Sequence, residues 1–170
     1  MTEAVCDTGP ALHLHEIGQL SAFRTLSQIS VPGLVAGEME RYGVDLSTLQ
    51  TFVTFRTVTV DDKSRVEALK AATDPPIHPA DAEVLALVRD PGHPSLALTD
   101  DMALRGHVEQ SGGVAVGSLG LLVRAYTKGA LGRSEFHGAV DALLERSTLR
   151  LSRAFRVYVR ELVSRLDDAG

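Results

Sequence analysis

A chain of 170 residues with 44% hydrophobic and 23% charged side chains has the make-up of one globular domain, long enough to bury about 70% of its unfolded surface. Its single cysteine, Cys6, excludes an internal disulfide framework and fits a reducing cytosol. The net charge of −5 argues against broad coating of nucleic acid, yet residues 102–170 hold 10 Lys/Arg against 7 acids while residues 1–101 hold 7 against 15, which leaves room for a local basic patch. No leader with a basic start and a long apolar core is visible, and no apolar run approaches the length of a spanning helix. The expectation is a cytoplasmic protein that does not use a membrane.

Residues 3–7 read as a first buried strand ending at Asp7. Thr8-Gly9-Pro10 breaks it and opens a helix, because proline suits the first helical turn. Leu12, Ile17, Leu20, Phe23 and Leu26 carry that helix to about residue 28. Ile29–Val31 is a second strand, and Pro32 starts a helix bearing Glu38 and Glu40. Residues 56–60 alternate as a strand should, and Asp61-Asp62 starts a helix reaching about Ala72. A Pro-rich loop over 73–78 leads to Pro79 and the helix PADAEVLALVRD, which Pro91-Gly92 ends. Strand 96–99, a helix over about 102–111, strand 114–116 and a helix from Ser118 follow.

Two further helices cover about 134–146 and 152–166. The last carries Leu151, Phe155, Tyr158, Leu162 and Leu166 at three- or four-residue spacing, a stripe expected in the core, with Arg153, Arg156 and Arg160 on another stripe. Repeated strand–helix alternation predicts an α/β fold with a central parallel sheet and helices on both faces.

Ligands of such sheets bind outside the carboxyl ends of the strands. Asp7 ends the first strand, and Asp100 and Asp101 end the strand at 96–99. Glu38 follows the second strand and Asp81 sits in the first turn of its helix, where both can lean over the same edge. Gathered carboxylates are hard oxygen ligands suited to Mg²⁺ or Mn²⁺ rather than zinc, able to activate water and to neutralise a phosphodiester. Each acid also has a local use. Asp7 can begin an Asx turn, Asp81 can complement the helix dipole, Asp100 can cap its helix, and Glu38 and Glu40 can be solvated helix surface.

Four stretches, VCDTGPALHLHEIGQL, VPGLVAGEM, HPADAEVLAL and LTDDMALRGHVEQSGGVAVGSLGLLVRAYTKG, resemble the PIN-domain nucleases, and the likeness covers nearly the whole chain. It is nearest to small prokaryotic PIN proteins with a C-terminal helical extension. The resemblance implies a three-layer α/β/α fold with about four or five parallel strands, a PIN-like unit over 1–132 and the extension over 133–170, packed on the same domain. It implies a Mg²⁺- or Mn²⁺-dependent endoribonuclease, with RNA as substrate. It further implies a VapC-like toxin partnered by a small antitoxin protein, and leaves a homodimer open.

By the same resemblance Asp7, Glu38, Asp81 and Asp101 are the catalytic metal-binding acids, and Thr8 is the hydroxyl residue that follows the first of them. Asp100 would cap the helix or bind the ion through water, and Glu40 is the fallback for Glu38. Glu83 is a second acid near Asp81. Gly33 and Gly37 depart from the bulkier residues usual around that glutamate.

Arg105 stands four residues after Asp101, on the same helix face, as a salt-bridge partner or a phosphate clamp. Arg124 and Lys128 are spaced likewise and are candidates to attract the RNA. Ser118, in the glycine turn, is a helix N-cap or a phosphate ligand, and Cys6 is a small buried apolar group. An acid-cluster phosphatase or receiver-like domain would need a D-x-D nucleophile or a Lys at a late strand end, and neither is visible. A noncatalytic interaction module, its acids serving only as caps, is the other alternative.

Overall fold

Ala4, Val5 and Cys6 are wholly buried and form the middle of β1 (Glu3–Cys6) in the computed structural model, which describes residues 2–169. Met1 and Gly170, the outer ends of the two units expected above, lie outside the described residues. β1 pairs in parallel with β2 (Gln28–Pro32) on one side and β4 (Leu96–Leu98) on the other. β3 (Thr54–Val58) and β5 (Val114–Val116) complete an all-parallel five-stranded sheet of order β3-β2-β1-β4-β5. The chain winds outward from β1 through β2 to β3, then returns to the opposite side of β1. That reversal opens a crevice at the carboxyl ends of β1 and β4.

Helices make the outer layers of a three-layer α/β/α, PIN-like fold. On one side α5 (Pro79–Arg89) lies against β1, β2 and β4, flanked by α4 (Asp62–Ala71) and α6 (Met102–Gln110). On the other, α1 (Thr8–Glu16), a 3-10 turn (Leu20–Thr25) and α7 (Ser118–Thr127) pack together, with α8 (Arg133–Glu145) outside α7. Phe136 of α8 is fully buried and stacks on Tyr126 of α7 at 4.5 Å between ring centroids. α2 (Gly33–Arg41) touches both α1 and α5. Among the described residues no helix is long and apolar enough to cross a membrane.

The first helix is shorter than its apolar spacing suggests. It ends at Glu16 because Gly18 takes a left-handed φ of +69°, with Gly18 N–H donating to His15 O and Gln19 N–H to Leu14 O. This is a Schellman closure, which glycine adopts without a Cβ penalty. β3 lies two residues earlier than expected: its ladder runs Gln28↔Thr54 to Pro32↔Val58, and beyond Pro32 the chain enters α2 and offers no further partner. A short helix, α3 (Leu46–Gln50), was not expected; Asp45 caps it through Ser47 N–H.

The last helix, α9 (Arg153–Asp168), departs most. Its fully buried residue is Val159, not a member of the expected stripe, and Phe155 and Tyr158 are exposed. Val159 and Val163 join Leu151 and Leu166 of that stripe against the core, so the buried face is rotated away from Phe155 and Tyr158. Polar contacts help fix that rotation: Asp167 Oδ1 meets Arg133 Nε and accepts from His137 Nε2 of α8, and Arg156 pairs with Glu145.

Candidate active site

Asp7 leaves the central strand of the sheet, and its N–H extends the β1–β4 ladder by donating to Leu98 O. The carboxylate accepts from Thr8 N–H at Oδ1 (2.7 Å) and from the Thr99 hydroxyl at Oδ2 (2.8 Å). It is 6% exposed. Burial, then the charge of Asp81, pushes its pKa up to about 7; the Thr99 and Thr8 hydrogen bonds oppose the rise and Glu38 adds to it. The negative charges of Asp81 and Glu38 thus act on Asp7.

Glu38 projects from α2, half-buried, and Oε2 accepts from the Thr8 hydroxyl at 2.8 Å. Glu40, two residues on, is exposed. Asp81 caps the start of α5, where Oδ2 accepts from His78 N–H at 2.8 Å. Its pKa is raised, first by burial and then by Asp101 and Glu38, against the lowering effect of the His78 contact. Asp101 is the N-cap of α6, with Oδ1 accepting from Leu104 N–H at 2.8 Å. Thus Asp7, Glu38, Asp81 and Asp101 share one electrostatic neighbourhood at the carboxyl edge of the sheet. Among the described residues none of the four is ion-paired to a lysine or arginine.

Thr99 is a member of this site that reading the sequence did not single out. Fully buried, it donates to Asp7 and accepts from Asp101 N–H at 3.1 Å, so one hydroxyl sets the spacing of two acids. The signal was the threonine two residues before Asp101. Cys6 is buried as expected, and burial followed by the charges of Asp7 and Asp100 holds its thiol protonated well above the ordinary range.

Other expected site residues are used elsewhere. Asp100 neither caps its own helix nor faces the acids: Oδ1 accepts from Ser118 N–H (2.7 Å), and Oδ2 lies against the Ser118 hydroxyl (2.5 Å) and His13 Nδ1 (2.7 Å). It caps α7 and ties α7 to α1. Ser118, wholly buried in that contact, is neither the N-cap, which is Gly117, nor open to a phosphate. Glu83 accepts from Leu34 N–H and from Arg65, so it anchors α2 and α4 rather than serving beside Asp81.

Arg105 does not pair with Asp101: its guanidinium donates to Ala115 O of β5 (2.7 Å) and to Thr99 O just past β4 (3.4 Å), and lies 3.7 Å from Glu109. Arg124 donates to Thr2 Oγ1 (2.7 Å) and Thr25 O (3.2 Å), residues that precede β1 and β2. That is the opposite edge of the sheet from Asp7. Lys128 is exposed just beyond the same end of α7, so neither cation joins the acids.

Among solved structures, the chain is similar to a PilT N-terminus domain protein from the hyperthermophilic archaeon Sulfolobus solfataricus P2, at 13% identity and a TM-score of 0.48 over 72% of this chain and 92% of that one. No curated protein is significantly similar to it in sequence. The family model described as a PIN domain (DUF3368) matches residues 3–165. PIN domains have a nuclease-type fold and are generally hydrolases. With that match spanning nearly its whole length, the chain belongs to the PIN-domain family.

Proposed function

We propose that this protein is a divalent-metal-dependent endoribonuclease whose site is formed by Asp7, Glu38, Asp81 and Asp101. The observation that carries the reading is four carboxylates that repel one another at the β1–β4 crevice and that, among the described residues, pair with no lysine or arginine. Repulsion of this kind is offset by a cation from solution, and PIN domains typically bind divalent metals. The donors are all carboxylate oxygens, which fit Mg²⁺ or Mn²⁺. Among the described residues no three His, Cys, Asp or Glu side chains stand close enough to ligate one ion directly.

When bound, such an ion supplies charge neutralisation at the scissile phosphate and an activated water. The chain's own contribution is placement. Thr99 and Thr8 N–H fix the Asp7 carboxylate, the Thr8 hydroxyl aims Glu38, and the starts of α5 and α6 hold Asp81 and Asp101. No side-chain nucleophile is required, and the one thiol is held protonated.

The test is cleavage of labelled single-stranded RNA with added Mg²⁺ or Mn²⁺, by wild type and by Asp7→Asn. The variant is expected to lose cleavage and to bind Mn²⁺ more weakly by calorimetry. Equal metal-dependent cleavage by both proteins would overturn the assignment. The reading extends to a toxin of a type II pair, with a small antitoxin protein as partner, on the strength of the likeness to small prokaryotic PIN proteins. Induced wild type should then arrest growth where Asp7→Asn does not, and the product of a short neighbouring reading frame should relieve the arrest.

A further inference from the structure

Beside the acid site lies an open groove of about 590 Å³, between the starts of α6 and α7 and the segment joining α8 to α9. Met102, Leu119, Leu151 and Phe155 line it, with Arg105 and Arg150 at its edges. Met102 is 75% and Phe155 36% exposed, so large apolar side chains stay wet next to a charged cluster. Surface of this kind marks a place where something binds.

We propose that the groove seats one unpaired nucleobase of a single-stranded RNA whose adjacent phosphodiester reaches the acids, an inference that rests on the nuclease reading above. Three observations select a nucleotide over a protein segment. The first is position: Met102 directly follows Asp101, so an occupant of the groove is a neighbour of the scissile phosphate. The second is charge: Arg150 is exposed and, among the described residues, has no carboxylate partner, which leaves a cation on the rim for a polyanion.

The third is the lining itself. A phenyl ring and the flat guanidinium of Arg105, held by two carbonyls, offer the planar surfaces on which unstacked bases lie. Asp100 is occupied by Ser118 and His13, and the Ser152 oxygen accepts from Phe155 N–H. With a mostly apolar lining, and its remaining free donors on Arg150 at the rim and the Ser152 hydroxyl, the groove selects chiefly by ring area. It should favour purine over pyrimidine and discriminate little within each class.

The experiment measures binding of fluorescent single-stranded hexamers to the full chain in EDTA, so that no cleavage accompanies it. One hexamer is oligoadenylate and the other a ribose-phosphate chain of equal charge without bases. Wild type is expected to bind oligoadenylate about tenfold tighter. Phe155→Ala combined with Met102→Ala should erase that ratio, and Phe155→Leu should keep part of it. Equal binding of the two hexamers, or no binding of either, overturns the proposal. So does a ratio that survives the double substitution, as it would if the groove held a protein segment. Cleavage with metal, assayed separately, tells the two readings apart: a protein that cuts RNA without preferring oligoadenylate keeps its nuclease assignment and loses the base seat.

Discussion

The Thr99 hydroxyl donates to Asp7 Oδ2 at 2.8 Å while its oxygen accepts from Asp101 N–H at 3.1 Å, so a buried neutral side chain couples two acids on adjacent elements. Thr99→Val keeps the shape and removes both contacts. It should raise the Asp7 pKa further, since this hydrogen bond opposes the upward push of burial. It should also cost about 1–3 kcal/mol of stability, the range for leaving a buried polar group unsatisfied. Thr99→Ser should restore most of both. Chemical denaturation together with an NMR titration of the Asp7 carboxyl checks the pair, and a Val variant as stable as wild type would mean the hydroxyl is dispensable.

The raised Asp7 pKa fixes the sign of a pH effect on the metal-free protein. The unfolded carboxyl releases its proton near 3.8 and the folded one near 7, so between those values the folded state holds the extra proton. Raising the pH therefore favours unfolding across that window, by up to about 4 kcal/mol for a shift of this size. Asp81, also raised, acts in the same direction. In EDTA, the stability difference between Asp7→Asn and wild type should grow from pH 4 to pH 7 in favour of the variant, and Mg²⁺ should shrink it. A difference that stays flat with pH would contradict the buried, repelled carboxyl.

Asp100 and Asp101 are neighbours in sequence with opposite uses, which gives a clean contrast. Asp100→Ala strips partners from Ser118 N–H, the Ser118 hydroxyl and His13 at once, and should lower stability by about 3 kcal/mol. Gly117→Ala should be harmful for the same reason, because its Cβ would collide with Asp100 Oδ1. Asp101→Asn retains an oxygen to cap α6 and should alter stability little while lowering cleavage and Mn²⁺ affinity. Melting curves and metal calorimetry on the three variants decide it; loss of metal affinity confined to Asp100→Ala would exchange the roles.

What the sequence makes visible follows from what is local. Asp7 and Asp101 are legible because strand ends and helix starts are written in short apolar runs and turn residues, and the sheet's parallel order follows from strand–helix alternation. The choice between Asp100 and Asp101 is not, since it depends on the direction in which each carboxylate leaves the turn after β4, set by Ser118 and His13, more than a dozen residues away. Glu83 and Arg124 look like free charges until Arg65, Leu34, Thr2 and Thr25 are brought beside them by the fold. The rotation of α9 is hidden for a similar reason. Two apolar faces compete on that helix, and the pairing of Asp167 with Arg133 and His137 helps select Val159 over the Phe155 stripe.

The contacts of Arg124 also move the expected path of RNA. Arg124 is spent on Thr2 and Thr25 at the far edge of the sheet, and Lys128 lies beyond it. Arg150, by contrast, lines the groove beside the acids, Arg153 follows three residues later at the start of α9, and neither carries a carboxylate partner among the described residues. Replacing Arg150 and Arg153 with Gln should weaken binding of single-stranded RNA and flatten its salt dependence by a log–log slope of roughly 0.7 per lost phosphate contact. Replacing Arg124 and Lys128 should leave that slope unchanged, while the loss of the Arg124 hydrogen bonds lowers stability by about 1–2 kcal/mol. Binding measured from low to moderate salt separates the two pairs. A slope that falls with the Arg124 pair instead would place the RNA at the amino edge of the sheet, away from Asp7 and its neighbours.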